Sequence, residues 1–200
     1  MAHRRARPRT RFAQVSTVHE SIDARLRTFI ESQPVFFVGT APRDGGHVNV
    51  SPKGLSDTFT VVDEHTVAYL DLTASGAETI AHLRENGRIT LMFCSFEHKP
   101  NVVRLQGTGR VVSLYDDDFA SWAARFPPNP AARAVIVVDV DLVSDSCGYS
   151  LPLMSLDEER DLLTPNMERR GPDGVVAYRR QKNRTSVDGL PAFDDDGLPG

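Results

Sequence analysis

Residues 35–54 read VFFVGTAPRDGGHVNVSPKG, and they decide which class of fold to expect. A short apolar run at 35–40 ends in Pro-Arg-Asp-Gly-Gly, which is a strong turn signal. Residues 47–51 then alternate polar and apolar side chains, as a strand with one buried face does. Two such strands joined by a Gly-rich turn predict an antiparallel hairpin.

The strand pattern continues along the chain beyond this hairpin. Five further runs rich in β-branched and aromatic residues are separated mostly by short polar turns: 58–62, 66–72, 88–96, 102–114 and 133–143. Seven strands with short connections predict an antiparallel barrel or sandwich, not a parallel doubly wound sheet. Gly107 and Gly109 interrupt one run, and glycines inside a strand indicate a bulge or a close approach of two backbones.

Four segments carry helix signals: residues 16–32, 75–87, 116–126 and 155–164. The first has apolar residues at helical spacing, and the third has acids in its first turn. Ser75 with Glu78, and Ser155 with Glu158, match the capping box, in which two side chains satisfy backbone N–H groups at a helix start. We therefore expect helices to open at Ser75 and at Ser155, the second ending before Pro165.

Length and composition exclude several classes of protein. The 200 residues suit a single domain, and 40% hydrophobic with 25% charged residues is typical of a globular protein. Two cysteines are too few for a disulfide scaffold, and no apolar run approaches the roughly 20 residues of a membrane helix. A net charge of −4 argues against a nucleic-acid partner. With no secretion signal to read, we expect free thiols and a cytoplasmic location.

Motifs that carry chemistry by themselves are absent from the sequence. It contains no phosphate-binding loop, no dinucleotide fingerprint and no nucleophile elbow. The six histidines are scattered, without the spacing of a zinc site, so we expect no metal. No base can be assigned to either cysteine. Catalytic residues therefore remain unknown at this level.

One arrangement could bind a phosphate group. The strand ending at Leu72 runs into Thr73 and a predicted helix start, where free N–H groups and the helix dipole attract anions. Ser75 and Thr79 add hydroxyl groups there, and Lys53 follows the neighbouring strand as a cation. An ordinary capped helix, with Ser75 and Glu78 bonding only to their own backbone, explains the same residues. Both interpretations stay open on spacing alone.

Several motifs nevertheless follow one another in a recognisable order. After the Pro-Arg-Asp-Gly-Gly turn come HVNVSPKG at 47–54, TVAYLDLT at 66–73, AETIAHLRENGRITLMF at 77–93 and RLQGTGRVV at 104–112. Over roughly residues 20–143 this order resembles the pyridoxamine 5′-phosphate oxidase-like family of FMN-binding split β-barrel proteins. The chain also resembles a branch of that family that keeps a Ser-Cys-Gly-Tyr segment, here at 146–149, and an ending like KNRTSVDGLP, here at 182–191.

The resemblance implies a mainly β (α+β) fold, a six- to seven-stranded antiparallel split β-barrel with flanking helices. It also implies a homodimer that builds flavin sites between its subunits, with FMN as the cofactor and a small molecule as the substrate. The residues that would bind FMN fall into four groups. The strand along the flavin supplies Val50, Ser51, Pro52 and Lys53, and the phosphate segment supplies Thr73, Ser75, Gly76, Glu78 and Thr79. Gln106 on a later strand would reach the partner's flavin, and the C-terminal motif adds Lys182 and Asn183.

The phosphate segment departs from the family pattern in one respect. Authentic pyridoxamine phosphate oxidases carry an Arg-Lys pair where this chain has Gly76, Ala77, Glu78 and Thr79. Glu78 would repel a phosphate unless its side chain turns away, and no match to the residues that bind pyridoxal phosphate is present. We therefore expect a flavin-dependent oxidoreductase that is not a true pyridoxamine phosphate oxidase. A deazaflavin-dependent reductase, and a non-catalytic flavin- or haem-binding protein, are the alternatives.

We expect four segments along the chain. The arginine-rich composition of residues 1–15 predicts a disordered basic arm, and residues 16–145 should form the FMN-binding split-barrel domain that the resemblance implies. Residues 146–191 should form a C-terminal helix and a lid-like segment packed on the barrel. Residues 192–200, which include three consecutive aspartates, should form a disordered acidic tail.

Overall fold

The computed structural model describes residues 17–55, 57–160 and 162–193. The expected basic arm at 1–15 and residues 194–200 of the expected acidic tail lie outside the described residues. Among the described residues, no helix is both long enough and apolar enough to cross a membrane.

The described residues form an antiparallel sheet with flanking helices, so the expected mainly β split-barrel fold is confirmed. Seven strands follow the order β3-β2-β6-β7-β8-β5-β4, and a short additional strand, β1, pairs with β8. The strands are β1 Thr17–His19, β2 Val35–Thr40, β3 Asn49–Gly54, β4 Phe59–Val61, β5 Thr66–Leu72, β6 Arg88–Cys94, β7 Val102–Ser113 and β8 Ala132–Ser146. The helices are α1 Ala24–Glu31, α2 Glu78–Asn86, α3 Phe119–Ala123 and α4 Leu163–Lys182.

Strand β8 shows why its sequence is almost continuously apolar. Ala134, Ile136 and Val138 face the main core inside the barrel. Val135 and Val137, which alternate with them, face a second cluster that contains Phe119 and Trp122 of α3 and Phe126 just after it. Because both faces of the strand are buried at this point, neither face needs polar residues.

A cluster of four aromatic rings holds the two halves of the barrel together. Phe36 of β2 lies 5.3 Å from Phe59 of β4 and 5.5 Å from Tyr69 of β5, measured between ring centroids. Phe93 of β6 lies 5.3 Å from Phe36 and 5.0 Å from Phe59. β4 and β3 are the two ends of the strand order, with β2 next to β3. Side-chain packing therefore joins strands that the hydrogen-bond ladder leaves apart.

The first helix signal covers two elements, not one. Residues 17–19 pair with β8 as a strand, and α1 begins only at Ala24. Asp23 is its N-cap, because the Asp23 side chain accepts a hydrogen bond of 2.7 Å from the backbone N–H of Leu26. The apolar spacing identified the helix correctly, but the cap residue decides where it starts.

Both capping-box predictions are wrong. Helix α2 begins at Glu78 with Ala77 as its N-cap, and no side chain caps it. Residues 155–160 are not helical, and α4 instead begins at Leu163 with Pro165 in its first turn. A proline is tolerated there because the first N–H groups of a helix have no partner within it. Pro165 thus marks a helix start, where the sequence had suggested an end.

The expected tail boundary at 192 is also displaced. Ala192 and Phe193 are buried, with 0% and 2% of their surfaces exposed, and both belong to the main core. Their backbone N–H groups donate to the carbonyls of Arg184 and Asn183. The acidic composition of 192–200 predicted a tail, but its first two residues are apolar and pack into the core.

The β7–β8 ladder contains the bulge that Gly107 suggested. The register shifts between Gln106 and Gly107, which pair with Leu142 and Val140 and leave Asp141 as the extra residue. A Cβ atom on Gly107 would overlap the backbone carbonyl oxygen of Asp139. A Cβ on Gly39, another strand glycine, would meet its nearest atom at 3.8 Å, an ordinary contact.

We therefore expect Gly107→Ala to lower the free energy of unfolding by about 3 kcal/mol, at the upper end of typical overpacking costs, because backbone atoms must move to relieve the overlap. The matched control, Gly39→Ala, should change it by less than about 1 kcal/mol. Urea denaturation followed by circular dichroism measures both. Equal stability of the two variants would show that this part of the β7–β8 ladder relaxes freely.

Candidate functional site

Strand β3 has two chemically different faces. Asn49, Ser51 and Lys53 are half-buried, whereas Val50 and Pro52 alternate with them and are exposed. Val50 has 63% of its surface exposed. This alternation follows from the two-residue period of a strand. The predicted flavin-binding strand therefore presents polar groups on one side and apolar groups on the other.

The polar side of β3 leads to a buried ionic cluster. Lys53 Nζ lies 2.9 Å from Asp71 Oδ1, and Arg133 Nε lies 2.6 Å from Asp71 Oδ2. Asp71 belongs to β5 and is fully buried, and the Arg133 side chain is 4% exposed. Arg133 is the extra residue of a second bulge, since Asp71 pairs with Ala134 and Leu72 with Ala132. Lys53, expected to supply a cation for a phosphate, is thus paired with a carboxylate that it shares with Arg133.

The charges around Asp71 determine its protonation. Burial alone raises the pKa of a carboxyl group, but the Arg133 and Lys53 charges and their hydrogen bonds outweigh it and lower the pKa of Asp71 to about 2. The carboxylate therefore stays ionised at neutral pH. With one anion between two cations, the cluster retains one net positive charge.

The start of α2 lies beside β3, as predicted, but its chemistry differs from the capping box. Asn49 Nδ2 donates to Ser51 Oγ at 3.0 Å and lies 3.4 Å from Thr79 Oγ1. Glu78 does not turn back to its own helix, because its Oε1 accepts a hydrogen bond from the backbone N–H of Val187. Its carboxylate also covers Gly76, where a Cβ would overlap it. Ser75 is exposed.

Residues 183–193, here called the closing segment, lie over this same region. Asn183 is fully buried, and its Nδ2 donates to the carbonyl of Ala74 at 2.8 Å. Asp188 accepts hydrogen bonds from the backbone N–H and Nδ1 of His47, at 2.8 and 2.7 Å, and these bonds lower the pKa of Asp188. The structure thus brings Asn183 to the predicted phosphate segment. Lys182 is exposed at the end of α4.

Gln106 lies well away from the predicted flavin-binding strand β3 within a single chain. The ladder pairs Val50 with Gly39, Gly39 with Thr90 and Thr90 with Gln106, so all four lie in one row across the sheet. Three strand spacings, about 14 Å, separate Gln106 from Val50. Residues in one row of an antiparallel sheet face the same side, so both side chains lie on the outer face of the barrel.

The part of the sequence that builds this site matches a known protein family. The family model described as Pyridoxamine 5′-phosphate oxidase matches residues 22–147, which include β3, the Asp71 cluster and α2. The chain belongs to this family. It is also 43% identical over 191 residues to the pyridoxamine 5′-phosphate oxidase family protein ustO of Aspergillus flavus, covering 88% of this chain and 77% of that protein.

Solved structures with a similar fold are more distant. HupZ of Group A Streptococcus shares 23% sequence identity with a TM-score of 0.47, over 61% of this chain and 91% of that chain. The FAD binding protein of Mycobacterium smegmatis shares 16% identity with a TM-score of 0.45, over 64% of this chain and 96% of that chain.

Three charged residues of the site were missed by the sequence reasoning: Asp71, Arg133 and Arg179. A signal was present for two of them. Asp71 interrupts the apolar run TVAYLDL, and Arg133 opens the run RAVIVV. A lone charge within a buried strand needs a partner, so the two could have been paired by their opposite signs. Arg179 lies in an arginine-rich helix and carried no such signal.

We expect Asp71→Asn to lower the free energy of unfolding at pH 7 by about 3–5 kcal/mol, because it leaves Arg133 buried without a counter-ion. Lys53→Met is the matched control, since it removes the more exposed cation and preserves the Asp71–Arg133 pair. It should cost about 1 kcal/mol or less. Denaturant titrations of the two variants and the wild type give the comparison.

The same carboxylate should shape stability in acid. The folded-state pKa of Asp71 is about 2 against an ordinary value of 3.8, so its stabilising effect is complete above about pH 4 and disappears as the pH falls through 2. That difference corresponds to about 2 kcal/mol. Asp71→Asn should lack this part of the acid slope. An unchanged slope in the variant would assign acid sensitivity to other carboxyl groups.

Proposed function

We propose that this protein binds FMN against the exposed face of β3 at the interface of a homodimer, and that it is a flavin-dependent oxidoreductase acting on a small molecule. Membership of the pyridoxamine 5′-phosphate oxidase family supports a flavin-binding role. The observation that carries the proposal is the combination at β3 of an exposed apolar face with a net positive cluster behind it.

The outer face of the sheet supports the dimer. Two adjacent rows of the ladder place apolar side chains there that no element of the described chain covers fully: Val50 and Leu142 in one row, and Phe37, Met92 and Val18 in the other. Val18, Val50 and Leu142 have 52%, 63% and 38% of their surfaces exposed. Polar residues lie between them in the same rows: Thr90, Gln106, Arg104 and Ser144. An exposed sheet face that mixes apolar and polar side chains in this way fits an interface between subunits.

The residues at β3 fit a phosphorylated flavin. Val50 and Pro52 offer an apolar surface for the ring. Because β3 is at one end of the strand order, the polar chain can pass its edge to the hydroxyl group of half-buried Ser51 and to the start of α2 at Thr79. Lys53 is the cluster member nearest solvent, with 22% of its side chain exposed, and brings the net positive charge to the surface. Glu78 is held by Val187, which limits its repulsion of a phosphate.

The rest of the chain would orient the cofactor and exclude water. A bound flavin supplies the redox chemistry itself, so no protein acid or base is required for electron transfer. The closing segment shields the start of α2 through Asn183 and Asp188. Because Gln106 shares the outer face with Val50, Gln106 of the second copy can approach the flavin beside Val50 when the two faces pack together.

The visible absorption spectrum of the purified protein, with identification of the released cofactor, tests the proposal. We expect FMN, and a sedimenting mass of about twice 22.1 kDa. Bleaching of the bound flavin by a nicotinamide nucleotide, followed by reoxidation, would support turnover. A deazaflavin or haem spectrum would show that the protein binds one of those cofactors instead of FMN. A monomer that still binds FMN would refute the shared site.

We expect Lys53→Met to weaken FMN binding by very roughly ten- to a hundredfold and to leave riboflavin binding almost unchanged, because the two ligands differ only by the phosphate and a charge-assisted contact contributes about 1.5–3 kcal/mol. Fluorescence quenching with both flavins measures this. An equal loss of both ligands would assign Lys53 to the fold or the ring, and no loss would place the phosphate elsewhere.

A further inference from the structure

A pocket lies between helix α4, which follows the residues 22–147 that match the family model, and the start of β8 within them. Helix α4 is broken at Gly171, whose φ of 65° and ψ of 171° suit glycine almost exclusively, and Pro172 begins its second half. The bend leaves a cavity of about 390 Å³ against the start of β8. This volume is in the usual range for small-molecule sites. Its walls include Pro130, Ala132, Met167, Glu168, Val175 and Arg179.

Arg179 is the unusual member of this lining. It is 5% exposed, and its Nε donates to Thr73 Oγ1 at 2.8 Å while its Nη2 donates to the carbonyl of Ala132 at 2.7 Å. Both partners are neutral. Within the described ranges, no carboxylate forms an ion pair with Arg179. Burial lowers the pKa of Arg179, and nearby Arg133 lowers it further; together they outweigh the opposing effect of Tyr115.

The charges around Arg179 add to the excess of positive charge. Asp71 is the carboxylate paired with both Lys53 and Arg133, so it leaves no negative charge for Arg179. Arg133 Nη1 is itself buried without a hydrogen-bond partner among the described residues. A buried cation without a counter-ion is strongly destabilising. The region is therefore suited to bind an anion from solution.

The shape of the cavity indicates what kind of anion. Four of the six lining residues named above are apolar. The other two are Arg179 and Glu168, and Glu168 is exposed. An apolar body would pack against Met167 and Val175, and a second negative charge would meet Glu168. We propose that this pocket binds a small organic monocarboxylate whose carboxylate group is held by Arg179. The proposal does not depend on flavin binding.

Benzoate and its neutral isostere benzamide are suitable probes. Titration into isotopically labelled protein, followed by NMR, should show benzoate binding at least tenfold tighter than benzamide, with shifts confined to residues around α4 and the start of β8. Arg179→Met should abolish this preference. Arg170→Met is the matched control, because Arg170 is an exposed arginine of the same helix that lies against Tyr178. It should leave benzoate affinity unchanged.

A second variant keeps the test valid if Arg179→Met does not fold. Val176 lines the same cavity and is only partly buried, so Val176→Trp should fill the space while leaving Arg179 in place. It should lower benzoate affinity at least tenfold. Benzoate binding that survives Val176→Trp, equal binding of benzoate and benzamide, or no saturable benzoate binding up to tens of millimolar would each overturn the proposal.

Discussion

The ion pair between Asp71 and Lys53 connects two strands of the barrel, β5 and β3, that the backbone ladder leaves apart. The Asp71 carboxylate on β5 accepts hydrogen bonds from Lys53 of β3 and from Arg133 of β8. Strands β3 and β5 lie in different halves of the sheet. A fully buried carboxylate is strongly unfavourable unless such partners compensate its lost hydration. This one group therefore fixes both the Lys53 side chain of β3 and the Arg133 side chain at the β8 bulge, and with them the charge behind the outer face of β3.

The C-terminal part of the chain completes the same region from the opposite side. Arg179 bonds to Thr73, and Asn183 bonds to Ala74, in the connection that follows β5. The Phe193 ring lies 5.9 Å from the guanidinium carbon of Arg133 and 5.9 Å from that of Arg84. Residues beyond the part that matches the family model thus hold the start of α2 and cover the ionic cluster.

The two candidate sites use different physical features. At β3, an exposed apolar surface lies next to a positive charge that Asp71 only partly neutralises, and this suits a large, flat, phosphorylated cofactor shared between subunits. At the bend of α4, a smaller apolar cavity ends in Arg179, which has no acidic partner among the described residues. Thr73 links the two regions, since it precedes the α2 start and holds Arg179. A ligand at one site is therefore bound close to residues that position the other.

Local sequence patterns determined much of this protein. The hairpin at 35–54, the strand at 133–143, the close approach at Gly107 and the family all follow from periodicity, turn chemistry and motif order, because these act over a few neighbouring residues. The tertiary structure decided the rest. Glu78 bonds to Val187, 109 positions later, and Lys53 pairs with Asp71 across the barrel. Such contacts depend on which side chains the fold brings together, and no local pattern records that.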